Sequence, residues 1–138
     1  MNRIRLLVID AQGGGIGRQL ISAFKKKHPD ISVTAVGTNS TATEAMLKGG
    51  ADAAATGENS VVVCAARADI IAGPVGIVIA DALLGEITPK MASAVGQSSA
   101  KRILIPVNHC DNIIVGVNDL TMSKLIESAV CEIEKYIR

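Results

Sequence analysis

Four glycines, Gly13, Gly14, Gly15 and Gly17, crowd the junction between an apolar run, Leu6 to Ile9, and a segment with helical periodicity, Ile16 to Lys27. The apolar run shows no polar alternation, the pattern of a strand covered on both faces as parallel strands are. Ile16, Leu20, Ile21 and Phe24 recur at the spacing of one helix face. Lys25, Lys26 and Lys27 suit the negative end of that helix, and Pro29 ends the segment. A strand that passes through glycines into a helix opens a βαβ unit, which restricts the chain to α/β architectures.

The rest of the chain repeats the alternation. Ile31, Val33 and Val36 form a second strand, followed by a helix opened by the capping box Thr41-Ala42-Thr43-Glu44 and closed by Gly49. Ala51 to Thr56 is a third strand. Glu58 to Arg67 reads as a helix, with Val61, Val62 and Val63 leaving a strand reading open. Asp69 to Ala72 is a fourth strand. Ile77 to Leu84 reads as a helix that is apolar almost all round, and Thr88-Pro89 starts another by the preference for Thr at the N-cap and Pro after it. Ile103 to Val107 is the fifth strand, and Ile113 to Val117 follows closely enough to return as an antiparallel edge strand. Met122, Leu125, Ile126, Ala129, Val130, Ile133 and Ile137 form the stripe of a final helix. The expected fold is a single α/β domain over residues 1–138: three-layer, Rossmann-like, with a mostly parallel five-stranded sheet and an antiparallel edge strand at 113–117.

Composition removes several functions. The 138 residues are 49% hydrophobic and 20% charged, with 14 basic against 13 acidic side chains, so the chain is neither disordered nor basic enough to be expected on nucleic acid. Phe24 and Tyr136 are the only aromatics, which denies it a stacking platform for bases. Cys64, Cys110 and Cys131 match no metal or redox spacing, so no metal site is expected. No apolar stretch has the length of a signal sequence or a bilayer span. A cytoplasmic setting without membrane contact is the expectation.

In an open parallel sheet, ligands bind beyond the carboxyl ends of the strands. Eight of the 13 glycines are predicted at that edge: Gly13, Gly14, Gly15, Gly17, Gly37, Gly57, Gly73 and Gly76. Asp10, Gln12, Thr38, Asn39, Thr56, Glu58, Asn59, Asn108 and His109 accompany them. Glycines also suit such loops for conformational reasons alone, but together with small polar side chains they describe a site for a polar ligand. The segment Asp10 to Gln19 is its sharpest part, because glycines at a helix start let backbone N–H groups close on an anion. It is not a dinucleotide fingerprint: Arg18 stands where the third glycine belongs, and Thr38-Asn39 stand where the ribose-binding acid belongs. Nor is it a Walker loop, since Arg18 and Gln19 replace the lysine and the hydroxyl.

The expected ligand-binding set is Asp10, Gln12, Gly13, Gly14, Gly15, Gly17, Arg18, Thr38, Asn39, Thr56, Gly57, Glu58, Asn59, Gly73, Pro74 and Asn108. Asp10 either orients a ligand or pins its own loop; Arg18 either reaches a phosphate or is solvated. Glu58, His109 and Asp10 are the groups available for proton transfer, Glu58 having the alternative of a first-turn carboxylate that complements a helix dipole. His109 and Cys110 are adjacent, and in extended chain they point opposite ways, which disfavours a nucleophile pair. Asp81, inside the apolar run 77–84, needs a partner if that run is a buried helix.

The succession Asp10-x-Gln12-Gly-Gly-Gly-Ile-Gly, Gly37-Thr-Asn, Ala55-Thr-Gly-Glu-Asn59, Gly73-Pro-x-Gly-Ile77, Ala80-Asp81, Leu84-Gly-Glu-Ile-Thr-Pro89 and Ile105-Pro-Val-Asn108 resembles a family of short bacterial proteins known only as a domain of unknown function. The resemblance spans essentially the whole chain. It implies a free-standing bacterial protein of one domain and brings no activity, cofactor or catalytic residue with it.

Three functions are therefore open. The first is a small-molecule binding protein that takes an anionic ligand, a nucleotide or dinucleotide or another phosphorylated metabolite. The second is an enzyme on the same site, a nicotinamide-dependent oxidoreductase or a phosphate-ester-processing protein. The third is a structural or regulatory homo-oligomer without a ligand. The breadth of the apolar face from Ile77 to Leu84 favours a homo-oligomer under all three.

Overall fold

The computed structural model describes residues 3–107, 112–117 and 120–137. β1 (Leu6–Asp10) is buried at every position. Leu6 and Val8 face one hydrophobic core, while Leu7 and Ile9 face the other, so a run without polar alternation is what the position demands. β2 (Val33–Gly37), β3 (Ala53–Thr56), β4 (Ile70–Pro74) and β5 (Lys101–Ile105) complete a five-stranded sheet in the order β3-β2-β1-β4-β5. Every pairing is parallel, with Asp10 opposite Gly37 and Leu6 opposite Ile70.

α1 (Gly15–Lys27), α2 (Ser40–Gly49) and α5 (Met122–Glu134) supply Leu20, Ile21, Phe24, Met46, Ile126 and Ile133 to the core on one face. α3 (Glu58–Arg67) and α4 (Pro89–Gln97) supply Val61, Ala65, Met91 and Val95 to the other. The result is a three-layer Rossmann-like α/β fold. Each large apolar side chain withdrawn from water, such as Phe24 or Ile21, contributes roughly 1.5–3 kcal/mol. Lys25 binds the end of α1 to the next strand: its ammonium donates to the carbonyls of Pro29 and Ile31 and to the Asp52 carboxylate, which also accepts the Val33 N–H. Those bonds hold Asp52 below the usual carboxylate range, the Val33 amide first and the Lys25 ammonium second.

Four local expectations are corrected. Residues 113–117 form no strand; Ile113 and Val115 are exposed and join no ladder. Alternating apolar residues near a strand encode compatibility with a sheet, and among the described residues β5 is an edge paired with β4 alone.

The run 77–84 is not a helix either. A short 3₁₀ turn at Val75–Val78 is followed by a left-handed bend with positive φ at Asp81, Leu83, Leu84 and Gly85. Ile77, Ala82, Leu83 and Ile87 turn into the core that covers α3 and α4, so their apolar character serves the monomer's own interior. An all-round apolar segment reads alike whether a helix or a folded-back loop buries it. Asp81 is exposed there, and the burial that would have required a partner does not arise.

The helix after β2 is capped two residues earlier than the capping box implies, at Asn39 instead of Thr41. The Asn39 side chain accepts from the Ala42 N–H, and the left-handed Gly50, rather than Gly49, ends the helix. Finally, Gly37 and Gly73 lie inside β2 and β4 and not in the loops beyond them.

Candidate functional site

In the order β3-β2-β1-β4-β5 the chain leaves β1 in one direction and returns to β4 on the other side. The carboxyl ends of β1 and β4 therefore flank the topological switch point, where open α/β sheets bind ligands. The loop after β1 is shaped by Asp10, whose side chain is buried. One carboxylate oxygen accepts the Ala11 N–H at 2.8 Å and the other accepts the Gly17 N–H at 2.7 Å. Burial pushes the Asp10 carboxyl above its ordinary range, against the lowering effect of these amides and with a further upward push from the charge of Glu86. Between Ala11 and Gly17 the backbone turns through Gln12 (φ 51°) and Gly14 (φ 71°), and the Gly14 N–H donates to the Ala11 carbonyl. The N–H groups of Gly13 and Gly15 donate to no protein atom among the described residues.

The glycines divide into two groups. A Cβ on Gly17 would strike the Met46 side chain and the Asp10 Cβ, and one on Gly73 would strike the Ile9 carbonyl oxygen. Gly14 and Gly37 are similarly confined by α2 and its entry. Close packing accounts for these four, against α2 and its entry for Gly14, Gly17 and Gly37 and against the neighbouring strand for Gly73. Gly13, Gly15 and Gly57 have open space where a side chain would project.

Glu86, which the sequence reading passed over, completes the edge. One carboxylate oxygen, Oε1, accepts from the Gln12 N–H at 2.8 Å, the Thr38 hydroxyl at 2.6 Å and the Asn39 side-chain amide at 2.8 Å. Asn39 also donates to the Gln12 carbonyl, so the loops after β1 and β2 meet around this carboxylate. Burial opposes its charge, but the three donors outweigh that and hold Glu86 below the ordinary glutamate range. The bend that delivers it is costly: a left-handed non-glycine residue is roughly 1–2 kcal/mol above the right-handed form, and Asp81, Leu83 and Leu84 all adopt it. A Glu following Leu-Gly is an unremarkable turn residue in sequence. Only the turning of the chain from β4 across β1 brings it to Thr38.

The other expected site residues are placed as follows. Gln12, Thr38 and Asn39 gather around Glu86 as described. Arg18 lines an open groove of about 420 Å³ between α1 and α5, with Lys26, Lys27 and Glu127 on its walls. The Thr56 hydroxyl shares a hydrogen bond with Thr43 at 2.6 Å, joining β3 to α2. Gly57 (φ 105°) precedes α3, whose first two residues are Glu58 and Asn59. Gly73 and Pro74 are buried at the end of β4, and Gly76 is buried in the 3₁₀ turn. Asn108, His109 and Cys110 lie outside the described residues. Among the described residues no group of three or more His, Cys, Asp or Glu is arranged to hold a metal ion, and no helix is long and apolar enough to cross a membrane.

Comparison with curated proteins and with solved structures gives no match to either. One family model does match, over residues 5–138, and with it the chain belongs to the family described as a domain of unknown function, DUF3842.

Proposed function

We propose that the carboxyl edge of the sheet binds a small anionic ligand, a nucleotide or another phosphorylated metabolite, with its phosphate over the glycine loop. The observation that carries this reading is the direction of the donors. The Gln12 N–H, the Thr38 hydroxyl and the Asn39 amide converge on one carboxylate oxygen, which supports the reading of this edge as one suited to an anion. The unpaired N–H groups of Gly13 and Gly15, at the positive end of α1, extend the same donor array. Asp10 holds the loop in shape with both of its oxygens, which supports a positioning role over a proton-transfer one.

Titration calorimetry with ADP, a nicotinamide dinucleotide, ribose 5-phosphate and inorganic phosphate tests the proposal. Binding of at least one phosphorylated compound is expected. A Gly15→Asp change, which sets a negative side chain in the open space beside the loop, should weaken it at least tenfold. Absence of binding by all four, or full binding by Gly15→Asp, overturns the reading.

A further inference from the structure

Glu86 raises a question that the anion reading leaves unanswered, because donors suited to a ligand are already taken by the protein's own carboxylate. Three distances of 2.6–2.8 Å to a single oxygen describe a fully formed contact. The segment that carries it crosses from β4 to the loops after β1 and β2, over the switch point itself. Its base is firmly seated, with Ile77, Ala82, Leu83 and Ile87 buried. Its tip is less covered: Leu84 is 94% exposed and Gly85 follows it with a positive φ, held by turn bonds from the Gly85 and Glu86 N–H groups to the Asp81 and Leu83 carbonyls. Three left-handed residues, Asp81, Leu83 and Leu84, lie just before Glu86 and set the bend that presents its carboxylate to the donors.

We propose that Glu86 is a built-in competitor for the anion site: its carboxylate holds the donors of Gln12, Thr38 and Asn39 until an incoming phosphate group takes them by displacing it. This inference rests on the anion-binding reading above and adds to it a threshold. A weakly held anion cannot displace a carboxylate with three donors, whereas a ligand that also engages the Gly13 and Gly15 amides can. The tip from Leu84 to Glu86 then moves away, and the site opens only for ligands that offer the dianion in that position.

The test compares the whole protein with its Glu86→Gln, Glu86→Ala and Asp81→Asn variants, with inorganic phosphate and ADP as probes in titration calorimetry. Asp81 is an exposed carboxylate on the same bend, so its change removes an equal charge without touching the donors. Glu86→Gln and Glu86→Ala should bind both probes at least tenfold more tightly than the unmodified protein, and Asp81→Asn less than twofold. Amide exchange at Gly85 to Ile87 of the unmodified protein should quicken on saturation with ADP. Equal or weaker binding by the Glu86 variants beside a binding parent overturns the competitor and leaves the site reading standing. So does an equal gain in Asp81→Asn, or unchanged or slowed exchange at the tip. Binding of neither probe to any of the four proteins overturns both. Glu86→Gln keeps an acceptor oxygen and the same shape, so it carries the comparison if Glu86→Ala does not fold.

Discussion

Asp10 and Glu86 grip the same glycine loop from its two ends, Asp10 through the Gly17 N–H at 2.7 Å and Glu86 through the Gln12 N–H at 2.8 Å. Their protonation equilibria are displaced in opposite directions. Burial raises Asp10 above 3.8, aided by the charge of Glu86, whereas the donors around Glu86 lower it below 4.5 in spite of its own desolvation. The two carboxylates therefore make opposite contributions to the dependence of stability on pH. A raised carboxyl binds its proton more tightly in the folded chain, so its contribution is greatest at low pH and declines as pH rises through the folded value. A lowered one contributes above the unfolded value and loses that contribution as pH falls through the folded one. Urea midpoints measured between pH 3 and 7 should show less acid-side loss in Glu86→Gln than in the parent, and a flatter decline above pH 4 in Asp10→Asn. At neutral pH Asp10→Asn should cost about 1–3 kcal/mol, because an amide supplies one acceptor oxygen for two buried N–H groups.

Glycine substitutions should separate packing from binding. Gly73→Ala drives a methyl group into the Ile9 carbonyl across two neighbouring strands, where neither backbone can yield, and should cost about 3 kcal/mol or more in chemical denaturation. Gly13→Ala meets nothing and should stay within about 0.5 kcal/mol of the parent. Equal losses at both positions would contradict this division of the glycines.

Asn39 has two roles that substitution can part. Its oxygen caps α2 and its nitrogen holds Glu86. Asn39→Ala should lose about 1 kcal/mol of stability as the cap disappears. Asn39→Asp retains a good cap but faces Glu86 with a like charge, so amide exchange should quicken at Gly85 to Ile87 while α2 keeps its protection.

Lys25 closes the turn between α1 and β2 with three hydrogen bonds from one ammonium group, whose side chain is largely covered. Lys25→Met should cost about 1.5–3 kcal/mol, the range for bonds that involve a charged partner. A loss below 0.5 kcal/mol in urea unfolding would show that water replaces them freely.

The absence of an edge strand at 113–117 is also open to test. Ile113 and Val115 are about nine-tenths exposed and pair with no strand. Replacing both with Ser should change the stability of the monomer by less than about 0.5 kcal/mol, against a clear loss if they packed on the sheet.

The α/β class, the five parallel strands and five of the helices were legible in the residues because burial on two faces and burial on one helical stripe leave different periodicities. Leu6 to Ile9 and the stripe from Met122 to Ile133 are the plainest cases. The loop from Asp10 to Gly17 was legible for the same local reason, since strand, glycines and helix follow one another directly. Glu86 was not. It stands 74 residues from Gln12 and 48 from Thr38, in a segment whose apolar run looks helical until the left-handed bend at Asp81 to Gly85 is seen. Periodicity reports which residues are buried, whereas a contact between distant loops depends on strand order. The chain alone determined the layers and the place of the glycine loop; the crossing from β4 over β1, decided only when the sheet assembles, set a carboxylate upon the donors of that edge.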